Sequence, residues 1–148
     1  MMLTPSVARD LAYPPDGSYP ELPRSLDLDK AWHLIHFLLT GEAWGGDGPL
    51  GQVVLGGKEL PDTDAGCGPF RTLDPQEVRE ISEALASPDA QSLWLRFDPA
   101  SAEAAQIYPQ GWVGDDIERE YGCQNYEALR LFFAASAADG DALLMYIR

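Results

Sequence analysis

Nine of the chain's 14 glycines fall between residues 41 and 69, and this clustering decides where regular structure can form. Glycine loses more backbone freedom on ordering than any other residue, and it serves where a turn needs positive φ or two backbones approach closely. A stretch so rich in it is expected to be a loop-rich run of tight turns. Only the apolar run Leu50 to Leu55 interrupts it, and that run fits a helical turn or a strand. The flanking segments must therefore supply most of the helices and the core.

Ahead of the glycines, Pro5, Pro14, Pro15, Pro20 and Pro23 fix φ and remove backbone donors, which leaves room for a short helix over Ser6 to Leu11. The rest of residues 1–25 reads as an extended covering segment. From Leu26 the pattern turns helical: Leu28, Ala31, Trp32, Ile35, Leu38 and Leu39 recur at helical spacing as far as Gly41, with Asp27 or Asp29 as cap. Past the glycines, Asp74, Pro75 and Glu77 occupy the N-cap, first-turn and capping-box positions of a helix running to about Ala86. Leu93, Leu95 and Phe97 suit a half-buried strand or the end of a helix begun at Pro88. After a turn at Ile107-Tyr108-Pro109, a long helix is expected over Tyr121 to Ala138. Gly140 ends it, and Ala142 to Ile147 reads as a buried terminal strand. The fold class is α+β: a single compact domain over 1–148 with three or more helices packed on a small sheet.

The 148 residues, 45% hydrophobic, suffice for one core. With 24 acids against 10 bases the net charge is −14, which works against nucleic acid and anionic membrane surfaces, since each phosphate contact needs a cation. The same field attracts a basic protein, and it also serves solubility alone. No stretch approaches the ~20 apolar residues that span a bilayer and no leader pattern is visible, so a cytoplasmic location is expected. Cys67 and Cys123 read as two idle thiols.

Several segments together resemble a known family. They are Leu28 to Gly41, Pro49-Leu50 with Leu55-Gly56-Gly57, Gly66 to Arg71, Leu73 to Val78, Ile107-Tyr108-Pro109 with Trp112, and the aromatic helix ending in Leu143 to Ile147. In this order, over roughly residues 26–148, the chain is similar to the YfbM-like family of bacterial proteins, a domain of unknown function. The resemblance implies a compact α+β domain and brings no activity, cofactor or catalytic residue with it. In that family pattern an additional first strand precedes the point at which Met1-Met2-Leu3-Thr4-Pro5 stands here. The chain is accordingly expected to lack that strand, or to have its start placed late. Cys67 also stands where the family tends to carry an aromatic residue.

Candidate chemistry is sparse. Asp29, His33 and His36 lie at i, i+4 and i+7, near one face of a helix, a spacing that can hold a divalent metal; the plainer reading is a hydrogen-bonded histidine pair. Cys67 between two glycines, with His36 as base and Arg71 nearby in sequence, gives a nucleophile arrangement for a small hydrolase or transferase. The plainer reading is a tight turn. Gly66-x-Gly68-Pro69 lacks the strand before it and the Gly-Lys-Ser/Thr after it that a phosphate loop needs, and no cofactor is expected. Acid pairs such as Asp115-Asp116 read as solvated surface.

Trp44 and Trp112 each lie beside glycine, where an indole packs back or faces a partner. With Tyr108 they form the candidate binding residues, whereas Trp32 reads as core. The leading expectation is a binding or interaction domain using the 41–48 and 108–112 loops, in one version an immunity-type protein that masks a basic partner. The alternative is the hydrolase or transferase near the glycine-rich segment, and a structural or ligand-sensing role shares the features of the first. Oligomeric state is open at this level.

Overall fold

The computed structural model describes residues 3–18, 22 and 24–148. Among them run seven α-helices: α1 Pro5–Ala12, α2 Trp32–Thr40, α3 Gly48–Gln52, α4 Pro75–Leu85, α5 Ala90–Trp94, α6 Pro99–Ala104 and α7 Asp116–Asp139. Strands β1 Lys58–Glu59, β2 Arg71–Leu73 and β3 Leu143–Met145 form one antiparallel sheet in the order β1-β2-β3, with Glu59 opposite Arg71 and Arg71 opposite Met145. The architecture is α+β, as the residue pattern predicts.

Much of the acidity is used at helix starts. Asp74 accepts the Glu77 N–H at 2.8 Å while the Glu77 carboxylate accepts the Asp74 N–H at 2.8 Å, the reciprocal box expected there. Asp89, Asp98 and Asp115 accept from Ser92, Ser101 and Glu118 in the same way. Each satisfies an orphan donor and places negative charge at the positive end of its helix. Asp27 and Asp29 depart from expectation: neither caps α2. The Asp27 carboxylate accepts the Asp29 N–H at 2.7 Å, which makes a turn of the chain before a short 3-10 turn, Asp29–Ala31, that leads into α2.

The main core lies between α2, α4 and α7. Leu34, Ile35 and Leu38 of α2 and Val78, Ile81 and Leu85 of α4 belong to one buried cluster, into which α7 inserts Tyr126, Leu129 and Phe133 at spacings of three and four. Each large side chain so buried contributes roughly 1.5–3 kcal/mol relative to exposure. A smaller cluster joins Ala8 and Ala12 of α1 to Leu60 and Phe70. Residues 19–21 and 23 of the expected covering segment, and Met1-Met2, lie outside the described residues.

Three readings resolve or change. Leu50 to Leu55 is helical at its start, within α3, and not a strand. The 93–97 stretch belongs to α5 and the turn after it, begun by the Asp89 cap. The terminal strand is shorter and less buried than expected: β3 pairs with β2 alone, at the edge of the sheet, and only Leu143 is buried in it. The glycine segment works as close packing at Gly51, where a Cβ would collide with the Gly46 carbonyl. That contact seats the 41–48 loop against α3.

Candidate binding surface

Trp32 opens α2 and His33 follows it, so the two rings leave the helix at its first turn. They stack on each other with centroids 4.9 Å apart. Two loops close over them. The His33 Nε2–H donates to the Ala43 carbonyl at 2.8 Å, and Nδ1 accepts the Tyr108 N–H at 2.8 Å. The second bond fixes the tautomer, since an Nδ1 that accepts carries no proton and the ring is neutral. Burial pushes the His33 pKa below its ordinary value, against a smaller upward pull from the Ala43 carbonyl.

The loops so held carry the candidate aromatics. Trp44 lies 4.4 Å from the His33 ring and 6.2 Å from Trp32, and Tyr108 stacks on Trp32 at 5.6 Å. The Trp112 Nε1–H donates to the Tyr108 carbonyl at 3.0 Å, and its ring stacks on Tyr121 at 6.5 Å. Tyr121 in turn donates its hydroxyl to Asp29 at 2.7 Å and accepts the Lys30 N–H at 3.0 Å. Glu118, in the first turn of α7, accepts the N–H groups of Val113 and Gly114, both at 2.9 Å, and pins the 108–114 loop from its far side. Trp44 and Tyr108 nevertheless stay 63% and 45% exposed. Trp32 and Trp112 are half-buried. The result is a line of rings, anchored beneath and open above, that can offer a contact surface without first ordering a loop.

The candidate binding residues Trp44, Tyr108 and Trp112 are thus brought together, through Trp32 and His33. Trp32 was read as core, and it does pack on the core, but its ring also forms the middle of this surface. Sequence reasoning missed Tyr121 as the end of the line and His33 as the bridge, because the groups His33 holds are backbone atoms 10 and 75 residues away.

Comparison with known proteins places the molecule. Residues 7–146 match the family described as Domain of unknown function (DUF1877). The chain belongs to this family. The protein YfbM of Escherichia coli (strain K12) is 32% identical to it over 99 residues, which is 64% of this chain. That match spans 58% of YfbM, less than two thirds of its length. The crystal structure of YfbM from Escherichia coli, a protein of unknown function, is similar with a TM-score of 0.64 at 26% identity, covering 82% of this chain and 78% of that one. The YfbM-like resemblance carried by Leu28 to Gly41 and the later segments is therefore shown.

In this DUF1877 chain the other candidates stay apart. His36 has no exposed surface, and neither ring nitrogen has a hydrogen-bond partner. Burial is the main cause holding its pKa below the ordinary value; His33 adds to the effect, while the Gly45 backbone and Glu42 oppose it. Cys67 is exposed, its N–H donating to the Ile147 carbonyl at 3.1 Å. Arg71 is buried and donates Nη1 to the carbonyls of Val54 and Gly56, at 3.1 and 2.7 Å, just beyond α3. Burial pushes its pKa down and Glu59 pulls it up. Among the described residues no hydrogen bond or ion pair joins any two of the three. An open hollow of about 340 Å³ at the C-terminal end of α2 is lined by Phe37, Leu38, Leu39, Thr40, Gly41, Arg96 and Ser101, and by none of them.

The remaining expectations divide similarly. Asp29, His33 and His36 form no group of three metal-ligating side chains among the described residues, because Asp29 turns to Tyr121 and His33 spends both nitrogens on backbone. The Gly66-x-Gly68 loop runs into β2, so no helix N-terminus follows to receive a phosphate. Cys67 and Cys123 are both free thiols. No described helix is long and apolar enough to cross a membrane.

Proposed function

We propose that the chain is a non-enzymatic binding domain that docks a basic protein on the Trp32, Trp44, Tyr108 and Trp112 surface. The observation that carries this reading is that Trp44 and Tyr108 lie 63% and 45% exposed while the backbones beneath them are tied to one buried histidine. Rings held rigidly in water have paid their ordering cost in advance, and burying them against a partner recovers apolar area at little further loss of entropy. The net charge of −14 selects the partner's sign and speeds its approach. A cytoplasmic protein that masks a basic enzyme or toxin, in the manner of an immunity protein, is the concrete form of this role. Nucleic acid is disfavoured by the same charge.

A hydrolase or transferase built on His36, Cys67 and Arg71 draws no support from their placement, since the base is buried and the arginine is engaged by carbonyls.

The test is a binding titration of the full chain against purified basic, nuclease-like proteins from the genome that encodes it. Wild type is expected to form a complex at micromolar concentration, and the Trp44→Ala/Tyr108→Ala double variant to lose at least about tenfold in affinity, as central aromatic anchors do. A panel with no complex, or equal affinity for both proteins, rejects the proposal.

A further inference from the structure

We propose that His33 is a proton-operated latch on this surface: uptake of a proton at Nδ1 frees the Tyr108 loop while the Ala43 tie at Nε2 holds, so the line of rings is whole at neutral pH and split in mild acid. The inference concerns the two loops themselves and stands apart from the identity of any partner the surface meets.

A backbone N–H can only donate and a backbone carbonyl can only accept, so the two bonds of His33 give each ring nitrogen its role. Nδ1, 2.8 Å from the Tyr108 nitrogen, presents a lone pair, and Nε2, 2.8 Å from the Ala43 oxygen, carries the proton. That lone pair is also the one place on a neutral imidazole where a further proton adds. Once it is filled, two N–H groups face each other and the Tyr108 bond cannot be kept. The Nε2–H bond changes in the opposite sense, because a donor on a cation makes the stronger hydrogen bond to the Ala43 carbonyl. One proton thus breaks one tie and tightens the other.

The residues on either side of Tyr108 confine the movement. Ile107 is fully buried, and Glu118 accepts the N–H groups of Val113 and Gly114. Between these anchors the Gln110 N–H donates to the Ile107 carbonyl at 2.7 Å, which closes the turn on itself, and Gly111 follows at φ +82°, where glycine swivels readily. The segment can therefore lift as a unit. It carries the Tyr108 ring off Trp32 and the Tyr108 carbonyl away from the Trp112 indole N–H. Trp44, 4.4 Å from the His33 ring on the loop that stays tied, keeps its place.

The surroundings leave the proton no easier route. His33 is 1% exposed. On α2 the titratable neighbour is His36, one turn on, which has no exposed surface; in the 3-10 turn before it Asp29 takes the Tyr121 hydroxyl and Lys30 is exposed; the 41–48 loop carries Glu42 and Asp47, and the second loop carries Tyr108. Glu42 acts on His36, but no charged side chain among the described residues acts on His33, where burial opposes protonation and the Ala43 carbonyl favours it. With the Tyr108 segment lifted the ring meets water and titrates near the ordinary value of about 6.5. Below that pH the lifted form gains on the closed one by up to about tenfold per pH unit.

The test follows the full chain by NMR from pH 7.5 to pH 5, with nitrogen-15 histidine to read the ring nitrogens. The chain has two histidines, so His36→Leu leaves the His33 signals alone and assigns them. At pH 7.5 Nδ1 is expected bare and Nε2 protonated. As Nδ1 takes up its proton, the Tyr108 amide resonance is expected to move along the same curve and the Tyr108 to Trp32 ring contacts to vanish, while the His33 to Trp44 contacts and the dispersed Val78, Ile81 and Leu85 amides persist. A His33 that stays neutral down to pH 5 overturns the inference, as does one that protonates with the Tyr108 signals unmoved. Loss of the Tyr108 and Trp44 contacts together overturns it too, and so does collapse of the core amides on the same curve, which is global unfolding. His33→Asn keeps an acceptor near the place of Nδ1 and does not titrate, so its Tyr108 amide is expected to stay flat over this range; a wild-type curve in that variant assigns the effect to another group and overturns the latch. Where that variant does not fold, the wild-type titration decides alone.

Discussion

The Nδ1 of His33 accepts the Tyr108 backbone N–H at 2.8 Å, and through this bond the first turn of α2 holds a loop 75 residues further along the chain. The other ring nitrogen holds Ala43, so one imidazole ties both aromatic loops to one helix. His33→Ala would leave a part-buried carbonyl and a part-buried N–H without partners and open a cavity under Trp44. We expect a loss of about 2–4 kcal/mol in urea unfolding, together with a red-shifted tryptophan emission as the rings loosen. A variant as stable as wild type would show that the loops are held by other contacts.

Both histidines should make stability fall in mild acid. Burial lowers the folded-state pKa of His33 and of His36 below the ordinary imidazole value. A base whose folded pKa is depressed binds more protons unfolded, so its contribution is complete above the unfolded pKa of about 6.5 and is lost as pH falls from there toward the folded value. Each site can add up to about 1.4 kcal/mol per pH unit to the slope. No partner of His36 meets hydrogen-bond geometry, and only a weak pull from the Gly45 backbone would be lost, so His36→Leu is expected to match or exceed wild type by about 1 kcal/mol at pH 8 and to show a shallower decline to pH 5. Denaturant midpoints across that range test this, and parallel curves for the two proteins would refute it.

What the sequence made legible was local. The Asp74, Pro75 and Glu77 signal named α4 with its cap, and the helix expected over Tyr121 to Ala138 is α7, although its start lies five residues before Tyr121, at Asp116 behind the Asp115 cap. Strands β1 and β2, two and three residues long, are too short to show any alternation, and α6 hides in an alanine-rich stretch whose only buried side chain is Ala102. The Trp44, Tyr108 and Trp112 group was reached through a simple argument about indoles beside glycine. The reason those rings meet was not legible: His33 acts on backbone groups, which look alike in every sequence. The enzyme candidates failed on the same ground in reverse, since His36 and Arg71 were chosen by residue type and the fold buries both.

The capping box at α4 gives a direct measure of one legible element. Asp74→Ala removes the acceptor of the Glu77 N–H and half of the reciprocal pair. The helix it starts supplies Val78, Ile81 and Leu85 to the core, so fraying at its first turn reaches global stability. The expected cost is about 1 kcal/mol, read from chemical denaturation, with Asp74→Asn recovering most of it. Failure of asparagine to restore stability would assign the effect to charge at the helix end in place of the hydrogen bond.

Gly57 and Gly68 separate backbone strain from collision. Both hold positive φ, +92° and +108°, which side chains rarely adopt, so alanine is strained at either. At Gly68 the new Cβ meets nothing within 4 Å, whereas at Gly57 it would stand 2.9 Å from the Thr72 carbonyl, beside the Lys58 and Thr72 pair of the sheet. The Thr72 backbone is fixed between β1 and β3 and cannot step aside without breaking register. Gly68→Ala should therefore cost about 1–2 kcal/mol, and Gly57→Ala more, by about a further 1–3 kcal/mol. Thermal and urea unfolding of the two variants side by side measures the difference; equal losses would mean that the β1 to β2 connection yields, and that the sheet edge near Arg71 is softer than its hydrogen bonds to Val54 and Gly56 imply.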